Sequence, residues 1–137
     1  MRRLSMLLAV VLAGVTLGGT QPAFAEALTA GCTDSGYRLQ ATAYYMASGP
    51  WHQWTSFDYK LTGGAGDKSN VKLWVRVDFS VTYNYFSPDS LHNGVTYTHV
   101  PWYPVLTDAA RVELTEFEAI FDKFLEDARC FARTQPI

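Results

Sequence analysis

Three stretches of the chain alternate between apolar and polar residues with period two. From Tyr37 to Met46 the odd positions are Tyr37, Leu39, Ala41, Ala43 and Tyr45, facing Arg38, Gln40, Thr42, Tyr44 and Met46 across the strand. Ser48-Gly49-Pro50 supplies turn chemistry, and a second stretch follows from Trp51 to Leu61. It has Thr55, Phe57, Tyr59 and Leu61 on one side and His52, Trp54, Ser56, Asp58 and Lys60 on the other. The third stretch, Val71 to Tyr85, is the clearest: its odd positions are all apolar or aromatic, and most are good strand formers. A strand buried on one face only produces this pattern. Val95 to Val100 predicts a short fourth strand, stopped by Pro101 as an edge strand can be.

The C-terminal third reads differently. Leu114, Phe117, Ile120, Phe121, Phe124, Leu125, Ala128 and Phe131 recur at spacings of three and four. That stripe predicts one amphipathic helix from about Ala109 to about Phe131, capped by Thr107 or Asp108. The fold expected is therefore α+β: an antiparallel meander of three to four strands, packed on one face by a long C-terminal amphipathic helix. Pro101 and Pro104 keep the connector extended and place Trp102 and Tyr103 along the sheet margin.

The N-terminus changes the picture of where this domain works. Met1-Arg2-Arg3 is positive, Leu4 to Gly19 is apolar or small, and Ala23-Phe24-Ala25 has the small-residue cleavage pattern. Residues 1–25 thus read as a secretory signal peptide, leaving residues 26–137 as a single exported domain. Once the signal is gone, no further apolar run is long enough to span a membrane. Cys32 and Cys130, the only cysteines, read as one disulfide closing nearly the whole domain. A competing reading makes Leu28-Thr29-Ala30-Gly31-Cys32 a lipid-attachment site, but it leaves Cys130 unpaired.

Charge and motifs narrow the function. Residues 26–137 carry nine Lys and Arg against thirteen Asp and Glu, so no basic footprint for nucleic acid exists. The three histidines, His52, His92 and His99, lack zinc-ligand spacing. There is no phosphate-binding glycine loop or nucleophile elbow, and no cofactor is expected.

What stands out is aromatic residues at the polar parity. Pairing the second and third stretches with Asp58 opposite Lys72, Trp54 opposite Arg76 and His52 opposite Asp78 satisfies charge across the strands. That register predicts a solvent-facing platform of Tyr44, His52, Trp54, Trp74 and Arg76, suited to a protein or carbohydrate partner. The leading expectation is a non-catalytic binding protein. Two alternatives are an inhibitor of a secreted hydrolase acting through the stiff segment 100–105, and a small hydrolase using His52 and Asp78 as an acid/base couple, with Asp58 nearby. His99, at the inward parity, reads as a core or edge histidine.

Overall fold

The computed structural model describes residues 25–137. The chain runs through strands β1 (Glu26–Asp34), β2 (Tyr37–Ser48), β3 (Trp51–Thr62), β4 (Asn70–Val77), β5 (Ser80–Phe86), β6 (Thr96–His99), β7 (Val105–Asp108), β8 (Glu113–Phe121) and β9 (Ala128–Arg133). They form two antiparallel sheets. The first has the order β1-β2-β3-β6, with β7 also pairing β3; the second has the order β5-β4-β8-β9. The alternating runs supply one apolar face each. Leu39, Ala41 and Ala43 of the first sheet share one core with Val71, Leu73, Val75, Phe117 and Phe121 of the second. Cross-sheet ring contacts Phe57–Tyr83 and Tyr37–Phe121 show the faces in register.

The expected α+β fold is not formed: no helix occurs among the described residues, and 113–133 is a β-hairpin. Its sequence carries two periods at once. Phe117, Ala119 and Phe121 alternate inward, as a strand requires, and Phe117 and Phe121 also fall on the helical stripe. Pairing with β4 decides between them, because it places Lys72 opposite Glu118 and Trp74 opposite Glu116 while burying Phe117 and Phe121 completely. The hairpin leaves Phe124 and Leu125 almost fully exposed in the intervening loop.

The meander is corrected as well. The third stretch is two strands, turned at Asp78-Phe79, where both residues have positive φ (45° and 68°). β3 and β4 lie in different sheets, so the expected pairs Asp58–Lys72, Trp54–Arg76 and His52–Asp78 do not exist. β3 pairs instead with β2, Tyr44 opposite Ser56 and Tyr45 opposite Trp54. Thr55 is the extra residue of a β-bulge, and it reverses the parity of everything before it. Trp54 is thereby turned into the core, 1% exposed, beside inward Phe57.

Cys32 of β1 and Cys130 of β9 form the expected disulfide, with Cα atoms 5.8 Å apart. It joins the two sheets along one edge. Along the opposite edge, β6 lies over β5, and His99 contacts Tyr83 and Tyr85. Such a bridge suits an oxidising, extracellular setting. The signal-peptide reading falls on residues 1–24, outside the described residues, and on Ala25.

Candidate functional site

The five residues expected on one platform are divided among three places. Tyr44 lies on the outer face of the first sheet, its hydroxyl donating to Asp58 at 3.3 Å. His52 and Trp54 point between the sheets. Trp74 and Arg76 lie on the outer face of the second sheet, in line with Lys72 along β4.

That outer face of the second sheet is the most developed surface. One row across its four strands reads Phe86, Lys72, Glu118, Phe131; the next reads Asn84, Trp74, Glu116, Arg133. Glu116 receives hydrogen bonds from Arg76 Nε and from Arg133, and Glu118 lies 3.9 Å from Lys72 Nζ and 3.6 Å from Arg129. Burial raises the Glu116 carboxyl, but the two arginines more than reverse that and hold it below the usual carboxylate range. The layering matters for charge. The Glu116 and Glu118 side chains are 17% and 8% exposed, whereas those of Arg129 and Arg133 are 59% and 60% exposed. Solvent therefore meets the cations, with the carboxylates beneath them. Three rings accompany them: Trp74, edge-on to Phe86 at 6.0 Å, and Phe131, 70% exposed.

Between the sheets runs a polar chain. Trp54 Nε1 donates to Thr107 Oγ1 (2.8 Å), and Thr107 Oγ1 donates to Glu113 Oε2 (2.8 Å). His52 Nδ1 lies 3.1 Å from the same oxygen. Glu113 is fully buried, and its Oε1 has no hydrogen-bond partner among the described residues. His52 thus pairs with Glu113, while Asp78 is engaged by Arg111 (2.7 Å) and by the Val112 N–H (3.1 Å). Those two bonds hold the Asp78 carboxyl below its ordinary range. The expected His52–Asp78 couple, with or without Asp58, is not assembled. The hydroxyl that joins the His52–Glu113 pair is that of Thr107, which is buried and accepts from Trp54, and no group of three metal-ligating side chains occurs among the described residues.

The third feature is the segment between β6 and β7. β6 leaves β3 at Phe57 and β7 rejoins it at Trp54, so Val100–Pro104 loops out opposite the bulge. Trp102 is 93% exposed there. With Gln53 and Thr55, the loop lines a groove of about 270 Å³.

Arg129, Phe131 and Arg133 were hidden from the sequence reading by the helix assignment. Their signal was present: i, i+2, i+4 alternation against buried Ala128, Cys130 and Ala132. Comparison with protein families, with curated proteins and with solved structures finds no match to this chain.

Proposed function

We propose that this protein is a small exported binding domain without catalytic chemistry, and that it engages its partner through the outer face of its second sheet. One observation carries the reading: cations and aromatic rings are gathered over two little-exposed carboxylates on one sheet face, in a domain that is otherwise acidic. Rings of this kind give contact area at small entropic cost, and arginine gives directed hydrogen bonds. The disulfide and the signal-like residues 1–25 support export. The test is capture of partners from the native medium by the exported protein and by a Trp74→Ala, Phe131→Ala variant. Loss of one reproducible partner is expected; retention of every partner rejects the face. N-terminal sequencing of the exported form should begin at Glu26.

The loop Val100–Pro104 favours a second reading, an inhibitor or adaptor that presents Trp102 to a cleft. Pro101 and Pro104 limit the freedom lost on docking, and Trp102 makes no ring contact with another aromatic among the described residues. Screening a panel of secreted hydrolases with wild type and Trp102→Ala separates this reading from the first, since the two surfaces lie on different sheets.

A further inference from the structure

We infer that the ligand of the outer face of the second sheet is an acidic polysaccharide, one bearing carboxylate or sulfate groups; this rests on the face being the binding surface. Four of the nine cations of residues 26–137 lie on it; its margin carries Asp89, hydrogen-bonded to Asn70, and beneath the cations lie two carboxylates, Glu116 and Glu118. Those two carboxylates are already engaged by the cations above them, and their small exposure removes them from contact with a ligand. Arg133 spends Nε and Nη2 on Glu116, and Arg129 reaches Glu118 only at 3.6 Å. Each guanidinium has five N–H donors in a planar fork, so donors remain for an incoming carboxylate or sulfate.

The rings select the rest of the ligand. Phe86 and Phe131 stand at the two ends of one cross-strand row, three strand spacings or about 14 Å apart. Trp74 lies between them in the next row, edge-on to Phe86. A chain of saccharide rings crossing the strands meets an aromatic surface at each end, Lys72 between them, and Arg129 and Arg133 flanking Phe131 on β9. Nucleic acid is disfavoured because residues 26–137 carry nine cations against thirteen carboxylates, without the basic excess that nucleic-acid binding draws on.

The experiment titrates the exported protein with polygalacturonate, dextran sulfate, uncharged dextran and single-stranded DNA, read by tryptophan fluorescence and calorimetry. The two acidic glycans should bind, uncharged dextran at least about tenfold more weakly. Affinity should fall as salt is raised, and fall by about tenfold or more in Arg129→Glu, Arg133→Glu. Because these arginines pair with the little-exposed Glu118 and Glu116, the companion variant Arg129→Gln, Arg133→Gln, which sets no new carboxylate beside them, should lose affinity in the same direction, and near-ultraviolet circular dichroism checks that each variant folds. Equal binding of dextran and dextran sulfate overturns the acidic ligand; if Trp74→Ala or Phe131→Ala then abolishes it, the face itself stands. DNA binding as tight as polygalacturonate also overturns the inference. So does failure of every glycan to bind, which leaves the face to be judged by partner capture. Acidic-glycan binding unchanged by any variant of the face rejects both.

Discussion

The imidazole of His99 lies 3.5 Å from the ring of Tyr85, centroid to centroid, and 10° from parallel to it. Its Nε2 also meets the hydroxyl of buried Tyr83. This contact joins β6 to β5 on the sandwich edge away from the disulfide. Among the described residues, the groups around His99 are tyrosines and Phe57, with no carboxylate or ammonium hydrogen-bonded to it. Burial lowers its pKa below the ordinary histidine value. The unfolded chain therefore takes up a proton first. The neutral ring's contribution is complete above about pH 6.5 and is lost as pH falls from there towards the lowered folded value. Thermal unfolding between about pH 7.5 and 5.5 should show the loss, and His99→Phe should flatten the profile in that window. An unchanged slope in the variant would assign the acid sensitivity to another group.

The chain Trp54–Thr107–Glu113 gives a second expectation. Thr107→Val keeps the shape of the side chain and removes its hydroxyl. Trp54 Nε1 then loses its acceptor and Glu113 loses a donor, both buried. Leaving such groups unmet costs about 1–3 kcal/mol each, so a destabilisation of about 2–4 kcal/mol is expected in urea unfolding. Thr107→Ser, which keeps the hydroxyl, should lose no more than about 1 kcal/mol. A larger loss in Thr107→Ser than in Thr107→Val would mean that the methyl, not the hydroxyl, matters.

The Asp78-Phe79 turn is strained on purpose or by default, and a pair of variants tells which. Both residues hold positive φ, as a tight hairpin of primed type requires, a conformation costly for a bulky residue. Phe79 is 73% exposed, so its ring repays little of that cost. Phe79→Gly should raise stability by about 0.5–1 kcal/mol after allowing for glycine's extra freedom when unfolded. Phe79→Ala, which keeps the Cβ and the strain, should give no gain. A loss in Phe79→Gly measured by chemical denaturation would show that the ring braces the turn.

How the sequence reading succeeded and failed follows from which interactions are local. Strands β2, β3 and β4 were legible because their alternation matches a half-buried surface, and the disulfide because two cysteines in an export-like chain have one pairing. The turn at Asp78-Phe79 was not, since neither residue is a glycine or asparagine and the alternation runs straight through it. Trp54 was placed on the wrong face because a single bulge at Thr55 inverts parity without any mark in the residues. The helix over 109–131 failed because Phe117 and Phe121 fit both periods, and only a partner strand distant in sequence, β4, separates them. The face proposed for binding suffered most from this. Trp74 and Arg76 belong to the platform expected from the sequence, but Arg129, Phe131 and Arg133, read as helical, could not be added to them.

The two edges of the sandwich should respond independently. The disulfide closes a loop of sequence separation 98, for which the chain-entropy account gives roughly 4–5 kcal/mol. Replacing both cysteines by alanine should lower unfolding stability by about that amount, the largest effect among these variants. It should also act locally, since β1 is an edge strand hydrogen-bonded only to β2 in its own sheet. Amide exchange of Glu26–Asp34 should rise towards that of a fraying strand, while the core amides of β3 and β4 follow the global change alone. His99 lies on the far edge and shares no contact with Cys32 or Cys130, so the loss caused by acid should add to the loss caused by removing the bridge. The double-cysteine variant measured across the same pH window should therefore give a profile parallel to that of the wild type. A profile that steepens would mean that the sheets part as one hinge, with each edge holding the other closed.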